Sequence, residues 1–245
     1  CKRCRPDLTD FSPGQDVAAE AMALLHRHFR DQADLSAALN GLGLSRRRLA
    51  DLFHAAYGTT LHGCLGTLRV TEACRLLRET DQPVAQIAGE AGFDEIQFDY
   101  VRFCTERGMG DVVFEEEDTK GRDKTQIISE FIQYAYEELT AEGLFVSADV
   151  FGTIINSATD AQIVGQSYGE MSASLDYICP MIYPSHYGNG NFGVDYPDTK
   201  PYETILGALT GSKEELKKFE TDGESQAVVR PWLQDFTASY LKHYI

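Results

Sequence analysis

The feature that most constrains this chain is a change of hydrophobic period at Gly92-Phe93. In "PVAQIAGEAGFDEIQFDYVRF", Pro83 to Phe103, the apolar residues before the glycine recur three and four positions apart, as on one face of a helix. After it they alternate: Ile96, Phe98 and Tyr100 point one way, Gln97, Asp99 and Val101 the other, which is the period of a strand. The spacing therefore predicts a strand over Ile96–Phe103, and two units of different class on either side of the change.

Charge divides at the same place. Residues 1–93 hold 11 Lys and Arg against 11 Asp and Glu, whereas residues 94–245 hold 11 against 27, so the whole net charge of −16 sits in the second part. A strongly negative surface repels nucleic acid and membrane phosphates alike, so only the front part suits a polyanionic partner. With 245 residues, 43% of them hydrophobic, both parts can bury a core. No apolar run is long enough to span a bilayer, and the chain begins Cys-Lys-Arg-Cys without the apolar segment of a signal peptide, which leads us to expect a cytoplasmic protein as given. Cys64, Cys74, Cys104 and Cys179 fall inside apolar patterns and read as small buried thiols.

In the front part, Val17, Ala21, Leu24, Leu25 and His28 lie at helical spacing within Asp16–Phe29. Next, Leu35, Leu39 and Leu42 form one stripe and Leu49, Leu52 and Phe53 another, separated by Gly43-Leu44-Ser45. Glycine permits the turn, and Ser45 is placed to accept the first unpaired amides of the following helix. The result is helix, short turn, helix, with Arg46, Arg47 and Arg48 at the start of the second helix, where such motifs reach base edges. Arginine suits that place because its fork pairs bidentately with guanine or phosphate; the alternative is a solvated charge run. A long helix, "LHGCLGTLRVTEACRLLRET", follows, and Pro83 opens a second helix with a glycine turn.

The segments "CKRCRPD", "LGLSRRRLADLFHAAYGTT" and "ACRLLRETDQPVAQIAGEAGF" resemble the Ada-type members of the AraC family of DNA-binding proteins. The resemblance implies two helix-turn-helix units joined by a long helix, DNA as the partner of residues 34–80, and the second unit truncated before its recognition helix. It also implies a four-cysteine zinc site whose last two ligands map onto Cys1 and Cys4. Structural zinc takes four ligands, so this incomplete pair leads us to expect no cofactor and no repair chemistry.

From Asp94 onward, predicted strands and helices alternate: a helix at Lys124–Glu142, a strand at Leu144–Val150, a short helix near Ser167–Ser174, the strand "DYICPMIY", a helix over Tyr202–Phe219 and a fourth strand, "AVVRPWL". This order predicts a parallel sheet. In parallel barrels the loops at the carboxyl ends of strands build the site, and Asp99, Asp149, Tyr183 and Asp235 fall at or just past such ends. Two carboxylates across a sugar serve as acid and base or as acid and nucleophile. Each acid alone is equally an ordinary surface carboxylate or helix cap, and Trp232 alone reads first as core packing. The loop "YPSHYGNGNFG" adds Tyr183, His186, Tyr187 and Phe192 as rings that could stack on sugars.

The motifs "GFDEIQFDYVRF", "VSADVFG", "YICPMIYPSHYG" and "VRPWLQDFTASYL" resemble a bacterial family of glycoside hydrolase domains with a TIM-barrel fold, over residues 91–245. The resemblance implies polysaccharide as partner, Asp99 and Asp149 as catalytic carboxylates, Arg102 orienting one of them, Asp235 assisting, and Tyr183, His186, Tyr187 and Trp232 binding substrate. Cys104 stands where the family is expected to carry proline.

The expected architecture is thus α plus α/β: residues 1–15 a remnant of a Cys-x-x-Cys segment, 16–93 an all-α helix-turn-helix region, and 94–245 a partial (β/α)8 barrel of about four strands, resembling the fourth to seventh. A full barrel takes roughly 250 residues. Open edges with unpaired backbone groups would suit a homodimer. Ala91-Gly92-Phe93 fits both families, which gives the chain the character of a chimera, its hydrolase-like part of a kind that could derive from an exported protein. Three functions compete: a polysaccharide hydrolase or binder fused to a truncated DNA-binding module, a DNA-binding regulator with an inactive barrel fragment, and a fusion of two fragments with no joint function.

Overall fold

The computed structural model describes residues 13–106, 112–220 and 226–239. The chain forms two compact units, Cys1–Asp94 and Glu95–Ile245. Cys1 and Cys4 lie outside the described residues.

In the first unit, helices form where the apolar stripes predict them: α1 (Pro13–His28), α2 (Gln32–Asn40), α3 (Arg46–Tyr57), α4 (Leu61–Glu79) and α5 (Val84–Glu90). The stripes meet in one core of Ala21, Leu25, Leu35, Leu49, Phe53 and Leu65, with Phe53 wholly buried. Side-chain caps set the helix starts, because the first amides of a helix have no partner within it. Asp31 accepts from the Asp34 amide at 2.8 Å, Ser45 from Arg48 at 3.3 Å, and Thr60 from Gly63 at 2.9 Å. Gly43, at φ +70°, makes the turn between α2 and α3. Ser45→Ala is expected to cost about 1 kcal/mol by removing the cap of α3, read as loss of amide exchange protection over residues 46–57; unchanged protection would mean that packing alone holds that end.

After α5 the helical pattern stops. Gly92 takes φ +84°, and its Cα approaches the backbone of Arg30 so closely that an added Cβ would lie 2.6 Å from the Arg30 Cα. The half-motif is pinned by Arg69, only 8% exposed on α4. Its Nε donates to the Phe29 carbonyl at 2.8 Å, and its two terminal nitrogens reach Asp94 at 3.3 Å and Gln32 at 3.4 Å. Where a second recognition helix would begin, the chain enters a strand instead.

The second unit runs β1 (Glu95–Phe98), α6 (Glu116–Thr119), α7 (Lys124–Ala141), β2 (Phe145–Phe151), α8 (Ala158–Val164), α9 (Tyr168–Ser172), β3 (Tyr177–Ile182), α10 (Pro201–Lys218), β4 (Val228–Val229) and β5 (Trp232–Leu233). The strands are parallel, in the order β1-β2-β3-β4, with β5 also on β3. The register aligns Phe98 with Ala148, Ala148 with Ile178 and Ile178 with Val229, so these four share one face. That face packs under α7, where Phe98 meets Phe131 edge-on at 5.5 Å. Asp123 and Gln126 form a reciprocal cap at the start of α7. The opposite face carries Glu95, Gln97, Ser147, Asp149 and Trp232 in period 2.

Several expectations are corrected here. Among the described residues the parallel sheet has five short strands in place of about four, and it is open, as expected of a part of a barrel. The first strand ends at Phe98 and not Phe103: the Asp99 carboxylate accepts the Tyr100 amide at 2.8 Å, Tyr100 turns to φ +56°, and the ladder is lost. The fourth predicted strand is divided, because Pro231 has no N–H to donate to a ladder. Of the cysteines, Cys179 is buried and Cys64 half-buried, but Cys74 and Cys104 are exposed.

Candidate functional site

Parallel pairing places the carboxyl ends of β1, β2, β3 and β5 at the same end of the sheet, and a cavity of about 560 Å³ opens there. Asp99, Arg102, Asp149, Tyr183 and Trp232 line it together with Tyr100, Phe151, Gln166 and Met181. Asp99 follows directly on the Phe98–Ala148 pair that ends the β1 ladder, and Asp149 follows on the same pair in the neighbouring strand.

Asp149 is the carboxylate of the cavity held by two side-chain donors. Its Oδ1 accepts from the Gln97 side-chain amide and, at 2.8 Å, from the indole N–H of Trp232. Both donors stand on the same sheet face, Gln97 on β1 and Trp232 on β5. Trp232 is 48% exposed, so it is not a core residue: its polar edge fixes the carboxylate while much of the ring stays open. Gln166, 1% exposed, supports the rim from behind. Its side-chain amide donates to the carbonyls of Val101 and Asp149, each at 3.2 Å, and its oxygen accepts from the Phe151 amide at 3.1 Å. The tyrosyl hydroxyl of Tyr183 is raised above its ordinary range by burial and, after that, by the negative charges of Asp149 and Asp99, so it stays a donor at neutral pH.

Towards the amino ends of the strands the same face carries a charged layer. Arg230 pairs with Glu95 through both terminal nitrogens, one of them at 2.9 Å, and its guanidinium lies 4.5 Å over the Tyr177 ring. Ser147, wholly buried, also donates to Glu95. The Arg230 guanidinium holds the Glu95 carboxyl below the usual carboxylate range.

Four residues expected at the site stand differently. Arg102 orients neither carboxylate: it donates to the Phe103 carbonyl at 3.0 Å and lies over the rings of Tyr100 and Phe151, at 5.3 and 5.1 Å. The early turn after Phe98 carries it to that position. Asp235 lines a separate hollow with Asp198 and Phe236 and does not join Asp99 and Asp149. Tyr187 is 6% exposed and packs against Phe192 at 5.3 Å, so its ring offers no open stacking face. His186 lies against Tyr183 and Phe236 and outside the Asp99/Asp149 cavity; burial lowers the pKa of its imidazole. Gln97 and Gln166 were not singled out from the sequence. Gln97 shares the period-2 face of Asp99, a signal that could have found it, whereas nothing local marks Gln166.

In the first unit Arg46, Arg47 and Arg48 occupy the first turn of α3, all exposed, and none forms an ion pair among the described residues. Among those residues no group of three or more His, Cys, Asp or Glu side chains is placed to hold a metal ion, and no helix is long and apolar enough to cross a membrane.

Comparison with known proteins gives two family matches. A family described as "Putative glycosyl hydrolase domain" matches residues 70–245, and one described as "Helix-turn-helix domain", of the AraC type, matches residues 39–98. The two overlap across the change of period. Two curated proteins, from the CDC 1551 / Oshkosh and ATCC 25618 / H37Rv strains of Mycobacterium tuberculosis, are each named "Probable bifunctional transcriptional activator/DNA repair enzyme AlkA". Each is 34% identical over 101 residues, which is 40% of this chain but only 20% of the relative. The matched stretch therefore spans a fifth of the length of these relatives. No solved structure matches the chain.

Proposed function

The chain belongs to the family described as "Putative glycosyl hydrolase domain", and on that premise we propose that its second unit hydrolyses a polysaccharide in the Asp99/Asp149 cavity. The observation that carries this reading is the fixed carboxylate of Asp149, held by Gln97 and Trp232 in a cavity that Asp99 also lines. Glycoside hydrolysis needs two carboxyl groups, one to protonate the leaving oxygen and one to attack the sugar or to activate water. Asp149 takes the second role, because with Oδ1 occupied by two donors its other oxygen is held in a constant direction. Asp99, on the turn beyond β1, takes the role of proton donor. Tyr183 donates a hydrogen bond to the sugar or to a carboxylate, and the open face of Trp232 stacks on a sugar ring. The test is reducing-sugar release from a panel of polysaccharides by the full chain and by Asp99→Asn: turnover unaffected by the substitution would remove Asp99 from the mechanism.

A second reading is supported by the uncommitted arginines of α3 and the AraC-type match: the first unit binds duplex DNA with the start of α3 in the major groove. The curated relatives carry "transcriptional activator" in their names, and the same kind of role is proposed for this unit. Arg46→Ala/Arg47→Ala is expected to weaken the electrophoretic shift of duplex DNA and to reduce the slope of log affinity against log salt by about 2, one counterion for each lost phosphate contact. An unchanged slope would place the contacts elsewhere.

A further inference from the structure

The second unit contains another hollow, of about 440 Å³, between the loop after β3, the start of α10 and the residues after β5. Asp198, Ile205, Gln234, Asp235 and Phe236 are among its walls. One pair of rings separates it from the Asp99/Asp149 cavity. Phe236, 44% exposed, stands edge-on to Tyr183 with ring centres 5.3 Å apart, and Tyr183 lines the first cavity while Phe236 lines the second. The position of Phe236 is built in: the Gln234 side-chain oxygen accepts from the Ser185 amide at 3.1 Å, and its nitrogen donates to the Phe236 carbonyl at 3.1 Å. Asp198 and Asp235, by contrast, form no hydrogen bond or ion pair among the described residues.

We infer that this hollow is a second saccharide subsite, next to the Asp99/Asp149 cavity, that takes a neutral sugar. The chemistry of a pyranose has two sides, an apolar C–H face and a rim of hydroxyl donors. Phe236 offers a ring to the first, and the oxygens of Asp198 and Asp235, which accept hydrogen bonds, suit the second. Two negative charges in one hollow disfavour a uronic acid or a sulfated sugar there. With the Tyr183–Phe236 ring pair as the wall between them, a chain lying across both hollows places successive sugars on either side of it, so the substrate is a polymer and not a disaccharide. The inference rests on the hydrolase reading above, and it gives Asp235 a binding role in place of a catalytic one.

The test is binding of the full chain to neutral oligomers of glucose, mannose, galactose and N-acetylglucosamine, each of two and of six units, with galacturonic acid oligomers as the anionic counterpart. A neutral six-unit oligomer is expected to bind more tightly than its two-unit form. Phe236→Ala should weaken six-unit binding roughly threefold to tenfold and two-unit binding by clearly less, since it also removes the ring that packs on Tyr183. Asp235→Asn, at an exposed position that leaves the core intact, should act in the same direction and relax discrimination against the galacturonic acid oligomer. Equal losses for both lengths, or none, would overturn the second subsite while leaving the Asp99/Asp149 cavity as the sugar site. Failure of the unsubstituted chain to bind any oligomer would overturn the hydrolase reading and this inference with it.

Discussion

Asp149→Asn is expected to lower polysaccharide turnover by about a thousandfold, the scale on which loss of an essential acid or base acts. The amide keeps the shape of the carboxylate, and its oxygen can still accept from Gln97 and Trp232. Its nitrogen can neither attack a sugar nor take a proton from water, so structure and chemistry are separated by this change. Asp99→Asn should behave differently if Asp99 protonates the leaving group. An aryl glycoside, whose leaving group needs no proton, should recover much of its rate in that variant and none of it in Asp149→Asn. Trp232→Phe removes one donor to Asp149 while keeping a ring, and a loss of about tenfold is expected from the less firmly held carboxylate. Steady-state kinetics on a polysaccharide and an aryl glycoside read all three; full turnover by Asp149→Asn would discard the assigned mechanism.

The second large effect falls on stability. Gly92→Ala is expected to destabilise the first unit by about 2 to 4 kcal/mol, since it puts a side chain into a left-handed conformation and adds an overpacked contact. Gly92 sits at φ +84°, and the added methyl would meet the Cα and carbonyl of Arg30 at 2.6 and 2.7 Å. These are backbone atoms, which cannot swing aside as a side-chain end can. Amide exchange over the first unit, or urea unfolding followed by helical circular dichroism, measures the loss. An unchanged midpoint would mean that α1 and the turn after α5 separate at little cost.

How much of this was legible in the sequence depends on the range of the interaction involved. The starts of α2 and α3 are set by Asp31 and Ser45 acting over three residues, and the apolar stripes that bury Leu35, Leu49 and Phe53 repeat within a few turns. The alternation after Gly92 is equally local, and it placed Gln97 and Asp99 on one face and Ile96 and Phe98 on the other. Asp99 and Asp149 could be marked as strand-end acids because parallel strands deliver their carboxyl ends to one side.

The sequence by itself determined the helices of the first unit and the order of the main strands and helices of the second, because those follow from spacing along the chain, but not where β1 ends or that the short helices α6 and α8 form. It did not determine which polar groups meet across the sheet. The bond from Trp232 to Asp149 joins residues 83 positions apart, and the pairing of Arg230 with Glu95 joins residues 135 apart. Both depend on strand order and register, which no local period encodes. The same holds for the turn that lays Arg102 over Tyr100 and Phe151, for the burial of Tyr187 against Phe192, and for the separate hollow that takes Asp235. The physical reason is one of dimension: periodicity orders the chain along its own axis, whereas a site is a meeting of side chains from different strands, and only tertiary packing decides that meeting.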